Sequence, residues 1–143
     1  MIKWYFHTTI HKLWVIWYMF LFCVKLMGRA FTHDLSKFGK EAKEFSTKLN
    51  RLSRITYGED DYKEILKELE PTLKHHYSLN RHHPEHWENG ISDMDLSDIV
   101  EMMMDWRSSI KKHKDGSILA SLEVNRKRFD ISDQLYNILK NSC

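Results

Sequence analysis

The chain has 143 residues, the size of one domain, long enough to bury a core without covalent staples. Its 5 Gly and 2 Pro fall short of the roughly 10 and 7 that average usage supplies, which excludes disorder, collagen-like repeats and a turn-dense β-sandwich. Lys and Arg total 22 against 20 Asp and Glu, a net charge of +2, and mean hydropathy is −0.55; a strongly basic nucleic-acid binder and a polytopic membrane protein are both excluded.

Residues 13–24 form an apolar run free of charge and His, bracketed by Lys12 and Lys25. A spanning helix wants about 20 apolar residues. A signal peptide wants a small-residue cleavage site, and residues 23–30 offer a poor one. Residues 2–27 therefore read as a long, mostly buried core helix, with Cys23 inside it and Gly28 as its C-cap. On this reading the protein is cytoplasmic and not membrane-bound. Cys23 and Cys143 make neither a disulfide framework nor a thiolate zinc site, which fits a reducing compartment.

Further helices follow from apolar spacing and caps. Residues 40–54 carry Ala42, Phe45, Leu49 and Leu52 at helical intervals. Residues 60–69 carry Tyr62, Ile65, Leu66 and Leu69. Pro71 is read as opening a new helix that runs to about His82, where Pro84 stops it. Asp95 caps a helix over 96–112, with Ile99, Met102, Met103 and Trp106 facing the core. Ser117 caps 118–129, and Ser132 caps 133–141. No stretch alternates with period two. The expectation is one all-α domain over 1–143, of six or seven helices. Its acidic stretch spans 59–70, and Arg107, Lys111, Lys112, Lys114, Arg126, Lys127 and Arg128 make the C-terminal third basic. These are solvated faces or, on the sharper reading, a local anion-attracting surface.

Nine His are the unusual entry. His7 and His11 share a helix face, as a chelating pair or as plain polar surface. His33 and Asp34 are adjacent, and Thr32 or Asp34 also serves as a cap. The stretch HHYSLNRHHPEHW, residues 75–87, holds five His. The pairs His76/His83 and His75/His82 lie seven apart, about two helical turns. Arg81 and Asn80 add donors suited to phosphate or carboxylate. Asp105 stands among Met102, Met103, Met104 and Trp106, where a carboxylate is costly unless paired or metal-bound. Asp98, Glu101 and Asp105 share one stripe, which faces either water or a partner. No nucleophile triad, Gly-rich phosphate loop or dinucleotide fingerprint is present.

The order His11, His33-Asp34, a His-rich helix end and Asp105 on an all-α chain resembles the HD-domain superfamily of metal-dependent phosphohydrolases. HDLSKF, NRHHPEHW, MDLSDIVEMMMDW and NRKRFDIS together also resemble a family of small helical proteins of phages and bacteria that brings no activity with it. The first resemblance implies one or two divalent ions held by His11, His33, Asp34 and Asp105, with His76, His82 and His83 as the further ligands. A His and carboxylate set without thiolate suits Mn, Fe, Co, Ni or Zn. The implied reaction is attack of metal-activated water on a nucleotide or similar small phosphate ester. Lys37 and Arg81 would neutralise phosphate charge, and His86 would protonate the leaving oxygen or hold a second ion. The alternatives are a non-catalytic metal or ligand module or inhibitor of a host protein, and a membrane-anchored helical protein. A homo-oligomer is compatible with each.

Overall fold

The computed structural model describes residues 2–39, 46–47, 60–112 and 116–143. Five α-helices occur among them: α1 Ile2–Thr32, α2 Asp60–Leu79, α3 Leu96–Ser109, α4 Ile118–Arg128 and α5 Asp133–Asn141. Short 3-10 turns cover Leu35–Phe38, Pro84–His86, Gly90–Asp93 and Ile110–Lys112. No strand occurs among the described residues, so the protein is all-α there. The helix expected over 40–54 lies outside the described residues, save 46–47. The chain divides into two compact units, Met1–His33 and Asp34–Cys143.

The first unit is α1, 31 residues and so roughly 46 Å long. Its apolar residues are exposed, among them Trp4, Trp14, Trp17, Phe20 and Val24, and so is Cys23. The reading of residues 2–27 as a mostly buried core helix is therefore corrected. Hydropathy registers that a helix is apolar, not what covers it, and the second unit closes a core from its own helices. Gly28 is not the C-cap either. The helix runs on to Thr32, whose Oγ1 donates to the Gly28 carbonyl at 3.1 Å. The chain leaves helical geometry at Asp34, which takes the left-handed region at φ 55°, a conformation short polar side chains tolerate.

In the second unit α2 is continuous through Pro71, so Pro71 does not open a helix. Proline removes one backbone donor and crowds the preceding turn. Here Ile65 and Leu69 before it and His76 after it are all buried, which ties both halves to one packed face. The helix stops at Leu79, short of Pro84, and Pro84 opens the next 3-10 turn.

Asp95 starts α3 as expected. Its Oδ1 accepts from the backbone N–H groups of Ser97 and Asp98 at 2.7 and 2.9 Å, and Asp98 Oδ2 accepts from the Asp95 N–H at 2.9 Å, a reciprocal capping box. Ser117 and Ser132 cap α4 and α5 through the N–H groups of Ala120 and Leu135. The core joins Ile99, Met102 and Met103 of α3 to Leu122 of α4, Ile131, and Tyr136 and Leu139 of α5. Trp106 stacks parallel on Phe129 at this core's edge, with ring centroids 6.2 Å apart. This packing turns the opposite flank of α3, which carries Glu101 and Asp105, toward the His-rich segment.

Candidate metal centre

Four segments of the second unit bring donor atoms together. Asp34 comes from the left-handed turn at its start, His76 from the last turns of α2, His82 and His83 from the loop after α2, and Asp105 from α3. Asp34, His76 and His83 offer one set of ligand atoms mutually within 4.8 Å, and His82, His83 and Asp105 offer another. Asp34 Oδ1 lies 3.3 Å from His76 Nε2 and 3.6 Å from His82 Nε2, and the two Nε2 atoms of His76 and His83 are 2.9 Å apart. Two donors each about 2.1 Å from one ion, at tetrahedral to octahedral angles, stand about 3.0–3.4 Å apart. The spacing of these atoms thus fits a shared cation, and the donor set of imidazoles and carboxylates fits a divalent transition metal.

The imidazoles are oriented from behind. His82 is buried, and its Nδ1 lies 3.1 Å from Glu101 Oε1, a carboxylate 12% exposed. The carboxylate accepts the Nδ1–H, which leaves the Nε2 lone pair aimed at Asp34. A histidine held this way by a carboxylate is the usual support for a metal ligand. His76 Nδ1 stands 2.9 Å from Ser36 Oγ, and Asn80 Nδ2 donates to Ser36 Oγ at 2.8 Å and to the His76 carbonyl at 2.7 Å. These bonds tie the 3-10 turn Leu35–Phe38 to the end of α2.

Burial sets the charge state. It pushes the His76 imidazolium down to about 4, helped by the Lys37 ammonium and opposed by Asp34. It pushes His83 down to about 3, helped by the neighbouring rings of His82 and His76. Both rings are neutral near pH 7, the form that ligates a metal.

Lys37 Nζ is paired with Asp34 Oδ2. Arg81 forks onto fully buried Asp98, with Nε to Oδ1 at 3.3 Å and Nη2 to Oδ2 at 3.0 Å, and its guanidinium lies 4.3 Å over the Trp87 ring. Trp87 Nε1–H donates to the Arg81 carbonyl at 2.9 Å. Arg81 thus pins the loop bearing His82 and His83 against the start of α3. His86 Nδ1 bonds the Tyr77 carbonyl at 2.9 Å, because the Pro84–His86 turn folds its ring back onto α2. His86 lines a separate cavity with Lys67, Glu70 and Lys74. His75 is exposed on α2. His11 is exposed on α1, and His33 is the half-buried last residue of the first unit.

Residues 2–143 match the family of unknown function DUF5662. The chain belongs to this family. No curated protein and no solved structure matches it. Membership in DUF5662 carries no activity with it. Sequence reasoning had placed Glu101 on a stripe with Asp98 and Asp105. It missed what the stripe does: Asp98 holds Arg81, Glu101 holds His82, and Asp105 approaches His82 and His83. The signal was the three-and-four spacing on a helix whose opposite flank is Met-rich core.

Proposed function

We propose that this DUF5662 protein is a metal-dependent phosphohydrolase of the HD type, acting on a nucleotide or a related small phosphate ester. The observation that carries the reading is the convergence of Asp34, His76, His82, His83 and Asp105, with Glu101 behind His82. A divalent ion held there supplies a Lewis acid for a phosphoryl oxygen and lowers the pKa of bound water from 15.7 toward about 7. The chain's own residues do the rest. Neutral His76 and His83 offer lone pairs without a proton to lose. Glu101 fixes the tautomer of His82. Asp34 and Asp105 supply negative charge, and Lys37 orients Asp34. The reaction class comes from the resemblance of the His-Asp pattern; the metal comes from the geometry.

The test is elemental analysis of the chain purified without a polyhistidine tag, followed by turnover assays on nucleoside mono-, di- and triphosphates with Mn, Co, Ni or Zn. Stoichiometric metal with phosphate release supports the enzyme. Stoichiometric metal without turnover leaves a binding module or an inhibitor of another protein. No bound metal overturns the reading.

One further observation bears on where the protein works. The helix α1 is long and apolar enough to cross a membrane by length and composition, and it leaves its apolar side chains exposed. Lys12 and Lys25 bracket 12 uncharged residues, roughly 18 Å of helix, and their long stems extend that reach toward both interfaces. This supports a tether that holds the second unit at a membrane. Detergent-phase separation decides it: the full chain partitions with the detergent if α1 is a tether and stays in the aqueous phase if the protein is cytoplasmic.

A further inference from the structure

A cavity of about 240 Å³ lies between α2, α3 and α4, and His83 and Asp105 form part of its wall. Both also belong to the candidate metal centre, so the cavity and the centre share two residues. The rest of the lining is polar and aromatic: Ser109 and Asn125 offer a hydroxyl and an amide, and the Trp106–Phe129 stack forms one side. Arg128, at the end of α4, supplies a cation there. Its guanidinium lies 4.7 Å over the Phe129 ring, which fixes its plane, and its Nη2 donates to Glu85 Oε1 at 2.7 Å.

We infer that this cavity is the anion-binding subsite of the enzyme, that Arg128 is its phosphate clamp, and that Glu85 occupies the clamp until a phosphate displaces it. The inference rests on the phosphohydrolase reading for its substrate and deepens it by naming the residue that recognises the phosphoryl group. Three observations support the assignment. A guanidinium presents paired donors in a plane that matches two phosphate oxygens, which an ammonium does not. Lys37 and Arg81, the cations the sequence pointed to for phosphate, are paired with Asp34 and Asp98, and neither is among the residues lining this cavity. Glu85 is a carboxylate on the same fork that a phosphate would use, and it comes from the short Pro84–His86 turn beside His83.

Size limits the ligand. Cavities that enclose a drug-sized molecule run from about 300 Å³ upward. At 240 Å³ this one takes the phosphoryl end of an ester and the atoms next to it. The remainder of a nucleotide stays outside, and discrimination among bases is weak.

The experiment titrates inorganic phosphate by calorimetry into the full chain, with and without Mn²⁺, in the parent, Arg128→Gln and Glu85→Gln proteins, while metal content is measured separately. Arg128 is more than half exposed, so its replacement does not threaten the core. Arg128→Gln should weaken phosphate about 10- to 100-fold, the worth of one charge-assisted contact, with metal content unchanged. Glu85→Gln should tighten phosphate several-fold, because the internal competitor loses its charge. Unchanged phosphate affinity in Arg128→Gln overturns the inference, and so does a metal-loaded parent that binds no phosphate. If the parent holds no metal yet its phosphate binding depends on Arg128, the subsite stands and the phosphohydrolase reading fails alone.

Discussion

Glu101→Gln isolates the support behind His82. The substitution keeps the side chain's length and shape and leaves an amide oxygen able to accept the His82 Nδ1–H at the 3.1 Å position. What it removes is the negative charge. A hydrogen bond to a charged group contributes about 1.5–3 kcal/mol, against about 1 for a neutral one. The difference, about 1 kcal/mol, is roughly a fivefold change in an equilibrium constant. It falls on metal affinity, because the carboxylate raises the basicity of the ring that donates its Nε2. Loss of such a support usually costs 10- to 100-fold in affinity, and retention of the neutral bond places Glu101→Gln at the lower end. Glu101→Ala belongs at the upper end, and it also leaves a buried Nδ1–H without its acceptor, so the metal-free protein should lose about 1–3 kcal/mol of stability. Competition against a chromophoric chelator measures the affinities, and urea unfolding of the metal-free proteins measures the rest. A Glu101→Gln protein that holds Zn²⁺ or Mn²⁺ as tightly as the parent would refute the argument that His82 is a ligand oriented by Glu101.

Three other outcomes are expected. Asp105→Asn should lower metal affinity and hydrolysis together, while the metal-free protein melts at the parent temperature or slightly higher because a partly buried charge is gone; melting curves with and without Mn or Zn read both. Leu122→Ala should destabilise the second unit by about 2–5 kcal/mol, since Leu122 is wholly buried, and should leave metal affinity unchanged; a shift in affinity would show that core and site are coupled. The metal-free protein should lose stability as pH falls, because His76 and His83 are held at about 4 and about 3 against an ordinary 6.5. Below 6.5 the unfolded chain takes up protons that the folded chain refuses, so stability is full above that value and declines as pH falls toward the folded ones; urea midpoints at pH 7, 6 and 5 should fall in that order.

What the sequence revealed divides along the range of the forces involved. Caps are local, so Asp95, Ser117 and Ser132 could be read from a few residues each. The core face of α3 was legible because Ile99, Met102 and Met103 repeat with the helix. Pro71 misled because a proline's local cost was outweighed by the buried face that joins Ile65 to His76. Gly28 misled because a glycine permits a helix to end and does not compel it. The length and apolar character of α1 were visible, but hydropathy has no information about what a helix packs against. The His-rich segment announced chemistry by density alone. Its division of labour was hidden, because the partners are distant in sequence: His82 of the loop after α2 meets Glu101 and Asp34, and the Pro84–His86 turn folds His86 back onto the Tyr77 carbonyl.

The charge balance of the centre joins these pieces. Asp34, Glu101 and Asp105 bring three carboxylates to one side of α3 and the adjoining loop, and the ammonium of Lys37 meets one of them. His76 and His83 add no positive charge near pH 7, because burial keeps their rings neutral. Carboxylates beside neutral imidazoles present a divalent cation with negative charge and lone pairs together. The same balance bears on the substrate. A phosphate dianion approaching Asp105 and Glu85 is repelled until a cation stands between them, so metal loading should precede phosphate binding. The order has a measurable form: phosphate affinity should rise when Mn²⁺ is present, and Mn²⁺ affinity should rise by the same factor when phosphate is present, because linkage is reciprocal. Phosphate affinity indifferent to Mn²⁺ would separate the Arg128 cavity from the metal centre and require that each be explained on its own.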